Sequence, residues 1–145
     1  MIFPRTNDRV SVPEGTPNGT LFVCVDKTYG KGIRDTGTNQ LVSLKDCAMG
    51  YWTDNNLQAA HGYDCQWVMA RCRGRIVGVW KIDSNKGWRS PAEMPKETAP
   101  NDCPTDGNRK GCALIDVGDD IKNLFVSKVV HLGRSHNPLR GYFFG

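Results

Sequence analysis

Six side chains of types that proteins use to bind nucleotides are the candidates for chemistry in this sequence. A flat aromatic ring stacks on a base, an amide hydrogen-bonds to the edge of the base, and cations approach phosphate. The sequence supplies two indoles, one amide with both a donor and an acceptor, and three basic side chains. Together they predict a binding pocket. The candidates are Trp52, Trp88, Lys128, Arg134, Asn137 and Arg140.

Most of these candidates also have a purely structural interpretation. Trp52 falls on an apolar helical stripe with Leu44 and Ala48, which is typical of a core residue. Asn137 precedes a proline and suits a turn, and Lys128 suits a solvated strand position. Trp88 differs because it lies in a polar segment without an obvious core partner. It therefore indicates either ligand contact or an anchor for that segment.

Metal binding and covalent catalysis have weaker patterns. Cys103, Cys112, His131 and His136 are of zinc-ligand types, but no two cysteines have the close spacing of compact zinc sites, so no metal or cofactor is expected. No sequence context marks a nucleophile. A hydrolase would need an activated water held by a carboxylate and a lysine, for which Asp26, Lys27 and Lys128 are the candidates. Whether the chain is an enzyme stays open, with binding favoured over catalysis.

The composition predicts a folded protein, and the sequence patterns given below predict that it is kept in the cytoplasm. The 145 residues predict one domain spanning 1–145, and 39% hydrophobic with 23% charged residues excludes disorder as the default. Nineteen basic and fifteen acidic residues give a net charge of +4, which is compatible with nucleic acid. No apolar run is long enough for a membrane span, and the N-terminal residues do not resemble a secretion signal. The six cysteines are therefore expected to be reduced thiols, while their even number leaves disulfides as an open alternative.

The segment from Cys65 to Ile82 predicts a β-hairpin that is apolar on both faces. A two-residue turn at Arg73-Gly74 would place Val68 opposite Val79, Ala70 opposite Val77 and Trp67 opposite Trp80. A ribbon of this kind must be covered on both sides. This requirement suits a small barrel with a helix laid against it.

The remaining elements follow from short patterns. Residues 21–26 predict a buried strand, 27–40 a mobile loop, and 43–52 a helix of about two turns that begins at a capping box. Thr53-Asp54 predicts the cap of a second helix that carries Leu57 and ends at Gly62. Residues 112–117 predict a strand and Asp119-Asp120 the cap of a helical turn reaching Leu124, followed by closing strands within 124–131 and 137–144. Between them, an irregular flap is expected at about 83–111.

This order of elements resembles a group of mostly uncharacterised bacterial and phage proteins of PUA-like fold, related to the ASCH and EVE groups. The resemblance covers about residues 20–143, and Gly141 and the cysteine-containing insertion depart from the usual pattern of the group. The matching motifs are Ala48-x-x-Tyr51-Trp52, Ala59-Ala60, Trp67-Val-Met-Ala-x-x-x-Gly-x-Ile-Val-Gly-Val-Trp80, Ser127-Lys-Val129, and Gly133 followed by Asn137-Pro-Leu-Arg140.

The resemblance implies an α+β fold: a small mixed β-barrel of about five or six strands with short helices packed on it. It also implies RNA, DNA or a modified nucleotide as the partner, since several PUA-like relatives bind RNA or hold a base in an aromatic-lined pocket. Two alternatives remain open: a small hydrolase acting on a modified nucleoside or nucleotide, and a phage-type factor that binds a host protein. Fold alone does not decide among them.

Overall fold

The computed structural model describes residues 11–26, 44–48, 52–85, 87–90, 109–133 and 137–144. Several sequence predictions lie outside this part of the chain: the loop at 27–40, Tyr51 of the helical stripe, most of the flap, and the candidates Lys27, Cys103, Arg134 and His136.

The described residues contain seven strands, three short α-helices and one 3₁₀ helix, joined by turns and loops. The helices are α1 (Leu44–Ala48), α2 (Asp54–Ala59) and α3 (Asp119–Phe125), and the 3₁₀ helix is Gly62–Asp64. The strands are β1 (Thr20–Cys24), β2 (Trp52–Thr53), β3 (Trp67–Cys72), β4 (Arg75–Ile82), β5 (Arg109–Lys110), β6 (Leu114–Asp116) and β7 (Leu139–Tyr142).

Five of the strands form one mixed sheet in the order β6-β4-β3-β1-β7. Strands β1 and β3 run parallel, and the other neighbours are antiparallel. Strands β2 and β5 form a separate two-stranded sheet, which we call the small sheet. The fold is therefore α+β, as predicted. The strands of the described segments form open sheets and do not close into a barrel.

Both faces of the five-stranded sheet are buried, which confirms the expectation drawn from the hairpin. On one face, α1 and α2 cover the first core cluster, which includes Leu21, Val68 and Leu57. On the other face, α3 and the residues after it cover the second core cluster, which includes Phe22, Met69 and Phe125. Successive strand residues point to opposite faces, so Leu21–Val23 of β1 and Val68–Ala70 of β3 are apolar on both faces.

The hairpin turn is as predicted, but the register of the strands is not. Arg73 and Gly74 have φ values of 53° and 80°, the positive pair that a type I′ turn requires. Beyond the turn, a β-bulge shifts the pairing by one residue, so Ala70 pairs with Gly78 and Val68 with Trp80. Trp67 therefore lies opposite Lys81, and the predicted Trp67–Trp80 pair is wrong. The two indoles join different core clusters.

The ring of Trp80 explains why a glycine lies inside β4. A Cβ atom added to Gly78 would come within 2.3 Å of Cη2 of Trp80. The Trp80 ring thus lies over Gly78, in space that any side chain would fill. Trp80 is consequently only 6% exposed.

The predictions for the first two helices are partly confirmed. Thr53 is the N-cap of α2, and its side chain accepts a hydrogen bond from the Asn56 N–H at 3.4 Å. The chain leaves α2 through His61 in the left-handed region, whereas Gly62 already belongs to the 3₁₀ helix. Helix α1 ends at Ala48, so Trp52 belongs to β2 and not to a helical stripe.

The region after β6 is more helical than the sequence suggests. Helix α3 confirms the predicted helical turn reaching Leu124 and also includes Phe125, which was predicted to lie in a strand. Its N-cap is Gly118. Asp119 and Asp120 occupy the first turn, where carboxylates stabilise a helix by interacting favourably with its dipole. Residues 127–131 form isolated bridges with β4 and Ser11 instead of a regular strand. The predicted closing strand within 137–144 is confirmed as β7.

Gly141 has a steric role that the sequence did not reveal. A Cβ atom at this position would lie 2.1 Å from the Ala60 carbonyl oxygen, a backbone atom at the end of α2. Strand β7 can therefore pass beneath α2 only because residue 141 has no side chain.

Candidate nucleic-acid interface

The small sheet brings positive charge next to aromatic rings. Trp52 pairs with Lys110 and Thr53 with Arg109 across β2 and β5. On the other side of β5, Arg89 and Gly111 exchange two backbone hydrogen bonds of 2.8 Å each. Segments on either side of the predicted flap are thus joined through backbone pairing.

Strand alternation divides these residues between two faces of the small sheet. Residues directly opposite each other share a face, and neighbours along a strand alternate. Arg109 and Gly111 therefore lie on one face together with Arg89, while Lys110 shares the other face with Trp52. The two arginines are diagonal neighbours with a glycine beside them. Both are half-buried, and the Nε atom of each is buried.

The candidates Trp52 and Trp88 both pack against the first core cluster. The indole N–H of Trp52 donates to the Ala48 carbonyl at 3.1 Å, which fixes the ring. Trp88 meets Tyr63 edge-to-face, with ring centroids 5.4 Å apart. The structure therefore gives Trp88 the anchoring contact that was one of its two interpretations. A ligand contact by either indole stays a prediction.

Tyr63 adds an accessible ring, 37% exposed, beside Trp88. Its hydroxyl donates to Asp54 Oδ1, and Gln58 donates to Asp54 Oδ2 at 2.7 Å. Desolvation, this hydrogen bond and the Asp54 charge all raise the pKa of Tyr63. The phenol therefore stays protonated at neutral pH and serves as a ring and a donor, not as a base.

Asn137 lies beside the same helix and is engaged at both ends of its amide. Its Nδ2 donates to the Asn56 carbonyl at 3.0 Å, and its Oδ1 accepts from the Leu139 N–H at 3.0 Å. These bonds tie the start of β7 to α2, as the turn interpretation expects. The structure thus gathers Trp52, Trp88 and Asn137 around α2 and the 3₁₀ helix.

The remaining candidates lie elsewhere. Lys128 is exposed beside Ile76, near the hairpin turn, and Ile76 N–H donates to its carbonyl at 3.0 Å. Arg140 is only 8% exposed and lies opposite Phe22 in the sheet. Arg134 lies outside the described residues. The predicted set therefore does not converge on one pocket in the described part of the chain.

The environments of Cys65, Cys72 and Cys112 do not favour nucleophilic catalysis. Desolvation raises the pKa of Cys65 and of Cys112 to about 12, and Asp64 and Asp83 respectively add to the increase. Arg89 opposes the shift at Cys112. Burial followed by the Asp26 charge also raises the pKa of Cys72. A thiol that keeps its proton is a poor nucleophile.

Asp26, the carboxylate of the hydrolase hypothesis, is engaged in the hairpin. Its Oδ1 accepts the Arg73 N–H at 2.7 Å, at a residue with positive φ. The carboxylate also hydrogen-bonds the Cys72 thiol. Asp26 thus supports the turn, and its partner Lys27 lies outside the described residues.

Metal ligands are not assembled in the described segments, where no group of three or more His, Cys, Asp or Glu side chains could hold an ion. Cys112 is buried in the first core cluster, whereas His131 is exposed and pairs with Ser11. Cys24, Cys65, Cys72 and Cys112 are free thiols.

Sequence reasoning missed Tyr63, Arg89, Arg109 and Lys110 as members of this surface. The available signal was the presence of basic residues at both ends of the irregular segment at 83–111. Pairing between those ends is a long-range contact, which local patterns do not report.

Comparisons of the chain with protein-family models, with curated proteins and with solved structures gave no match. Among the helices of the described residues, none has both the length and the apolar character that a membrane span requires.

Proposed function

We propose that this chain is a nucleic-acid or modified-nucleotide binding module. Its interface is the aromatic–basic surface, defined here as the residues around the small sheet: Arg89 and Arg109 on one face, Trp52 and Lys110 on the other, and the adjoining rings of Trp88 and Tyr63. The observation that carries the proposal is the shared face of Arg89 and Arg109 on the small sheet. Guanidinium groups suit phosphate because they present several donors in a fixed plane.

The aromatic part of the surface supports the same ligand class. Single-stranded nucleic acids bind where cations follow the backbone and exposed rings stack on bases. Tyr63 offers an accessible ring held by Asp54 and Trp88. The net charge of +4 adds a general attraction for polyanions.

The PUA-like resemblance supports the same ligand class through its sequence motifs. The closed barrel with an aromatic-lined pocket stays a prediction, since the strands of the described segments form open sheets. Phosphate contact by Arg89 and Arg109 does not require a barrel.

Salt-dependent binding of short fluorescent RNA and DNA strands tests the proposal. We expect the logarithm of the binding constant to fall linearly with the logarithm of the salt concentration, because the nucleic acid releases counterions when the protein binds its phosphates. The double change Arg89→Gln and Arg109→Gln should reduce that slope by about 1.4, since each phosphate contact on a single strand accounts for about 0.7. Anisotropy measured at several salt concentrations gives both affinity and slope.

Lys128→Gln is the matched control, because it removes one exposed charge near the hairpin turn, away from the small sheet. It should leave the slope almost unchanged. Arg89→Lys with Arg109→Lys should keep the slope but lower the affinity, because lysine retains the charge and loses the planar donor array. Equal salt-dependence slopes for the wild type and the glutamine variant would show that the two arginines do not contact phosphate. Absence of binding to every oligomer would refute the proposed nucleic-acid binding.

A further inference from the structure

A cavity of about 370 Å³ lies between β4, α3 and the start of α1, away from the aromatic–basic surface. Its position follows from an interruption at the edge of the sheet. Strand β6 pairs with Trp80–Ile82, and residues 127–130 bond to Gly74 and Ile76. In the described part of the chain, neither neighbour pairs with residues 77–79. Helix α3 connects the two neighbours and spans this interruption.

The lining residues locate the cavity at the strand edge. Val79 belongs to the second core cluster and Trp80 to the first, on opposite faces of the sheet. One cavity touches both. It therefore reaches around the edge of β4, where backbone groups as well as side chains are accessible.

The cavity is open to solvent and lined by comparable amounts of polar and apolar surface, and its polar side chains form a specific pattern. Leu44, Val77, Val79, Trp80 and Val126 supply apolar surface. All three polar side chains come from α3: Asp119, Lys122 and Asn123. Ligand sites combine apolar surface with a few placed polar groups and span about 300–1,000 Å³.

Asp119 and Lys122 lie three positions apart, within one helical turn, yet they do not form an ion pair with each other. Among the described residues, neither has another charged group of opposite sign within ion-pair distance. The neighbouring charges are already matched, since Lys45 of α1 pairs with Asp116 of β6 at 3.1 Å. The cavity therefore presents one carboxylate and one ammonium, with a net charge of zero.

We propose that this cavity binds a small zwitterion with an apolar body, namely a free α-amino acid with a hydrophobic side chain. The ligand carboxylate meets Lys122 and the ligand ammonium meets Asp119, while its side chain packs against Val77, Val79 and Trp80. Asp119 is exposed and Lys122 half-buried. A ligand that carries both charges can pair with both groups, whereas a simple anion or a simple cation can pair with only one of them. Asn123 adds a donor and an acceptor beside them.

Isothermal titration calorimetry of the whole chain with leucine, phenylalanine and tryptophan tests this site. We expect binding of the free amino acids, and about tenfold weaker binding of leucinamide and of N-acetyl-leucine, each of which lacks one charge. Glycine should bind still more weakly because it has no apolar body. Equal affinity for leucine and both derivatives would overturn the proposal, as would absence of heat with all three free amino acids at millimolar concentrations.

Substitutions show which charge of the ligand each of the two side chains contacts. Lys122→Met keeps most of the side-chain stem, and it should remove the preference for leucine over leucinamide while preserving the preference over N-acetyl-leucine. Asp119→Asn should have the converse effect. Asp120→Asn is the matched control, because this residue adjoins Asp119 on α3 and does not line the cavity. If Asp120→Asn changed the preferences as much as Asp119→Asn, the assignment would be wrong.

Discussion

The chemistry of the described cysteines is controlled by where each thiol lies. Cys65 and Cys112 are buried in the first core cluster, next to apolar side chains and near carboxylates. Both influences disfavour the thiolate, so both thiols keep their proton. The sequence predicted reduced cysteines from their expected compartment, but it could not rank the thiols by how strongly each keeps its proton. That ranking depends on burial and on charges brought close by folding, such as Asp64 and Asp83.

Thiol labelling checks this protection. At pH 8 an aromatic disulfide reagent should label Cys65 and Cys112 of the folded protein slowly, because their pKa of about 12 leaves almost no thiolate. Changing both residues to serine should leave the fast labelling phase intact and lower only the total found after denaturation. Loss of the fast phase in that variant would show that these thiols are accessible.

The same shifts predict a pH dependence of stability. A thiol whose folded pKa is raised contributes stability that is fully present below its unfolded pKa of about 9 and is lost as pH rises towards about 12. The urea midpoint of the wild type should therefore fall more steeply above pH 9 than that of the double serine variant.

At the scale of elements, hydrophobic patterning located most of the strands and helices but not their register. The apolar runs of β3 and β4 and the Arg73-Gly74 turn were readable because they are local. The β-bulge was not, since an extra residue in one strand leaves both apolar patterns intact. Similarly, Trp52 fits a helical stripe by spacing, yet pairing with Lys110 of β5 makes it a strand residue.

The bulge makes different predictions for the two indoles of the hairpin. Trp80→Ala should lower the free energy of unfolding by about 3–5 kcal/mol, because a buried ring is replaced by a cavity. Trp67→Ala should cost less than half as much, since Trp67 is half-buried and its ring is covered on one side by Lys81, whose Nζ lies 5.3 Å from the ring centroid. Urea denaturation of the two variants measures the difference. Equal losses would favour the symmetric pairing that the sequence suggested.

Over the whole molecule, the candidate interface and the sheet both depend on contacts between segments far apart in the sequence. Arg89 pairs with Gly111, and β1 pairs with β3 and β7. The sequence supplied the chemical types at the interface, an aromatic ring beside basic groups, but only Trp52 and Trp88 among its candidates lie there. The rest of that surface is created by pairing across the irregular segment, which has no local signature.

Gly141 gives a test of this long-range assembly. Gly141→Ala should destabilise the fold by about 3 kcal/mol, at the upper end of overpacking costs, because the added Cβ meets the Ala60 backbone carbonyl. Gly118→Ala is the control: its Cβ would meet only the Asp120 side chain, which can rotate away, so a cost below about 1 kcal/mol is expected. Chemical denaturation compares the two. A harmless alanine at position 141 would mean that β7 does not pass under α2.

The place of β1 in the sheet has a consequence for biosynthesis. As the chain emerges from the ribosome, β1 comes out first, and it can pair with β3 only after α2 and the 3₁₀ helix have followed. Its other edge stays without a partner until β7 emerges, after every other described strand. Closing such long loops is entropically costly and slow. Until β7 has emerged, we expect the Phe22 strand edge to stay exposed, which favours binding by chaperones that recognise extended apolar segments.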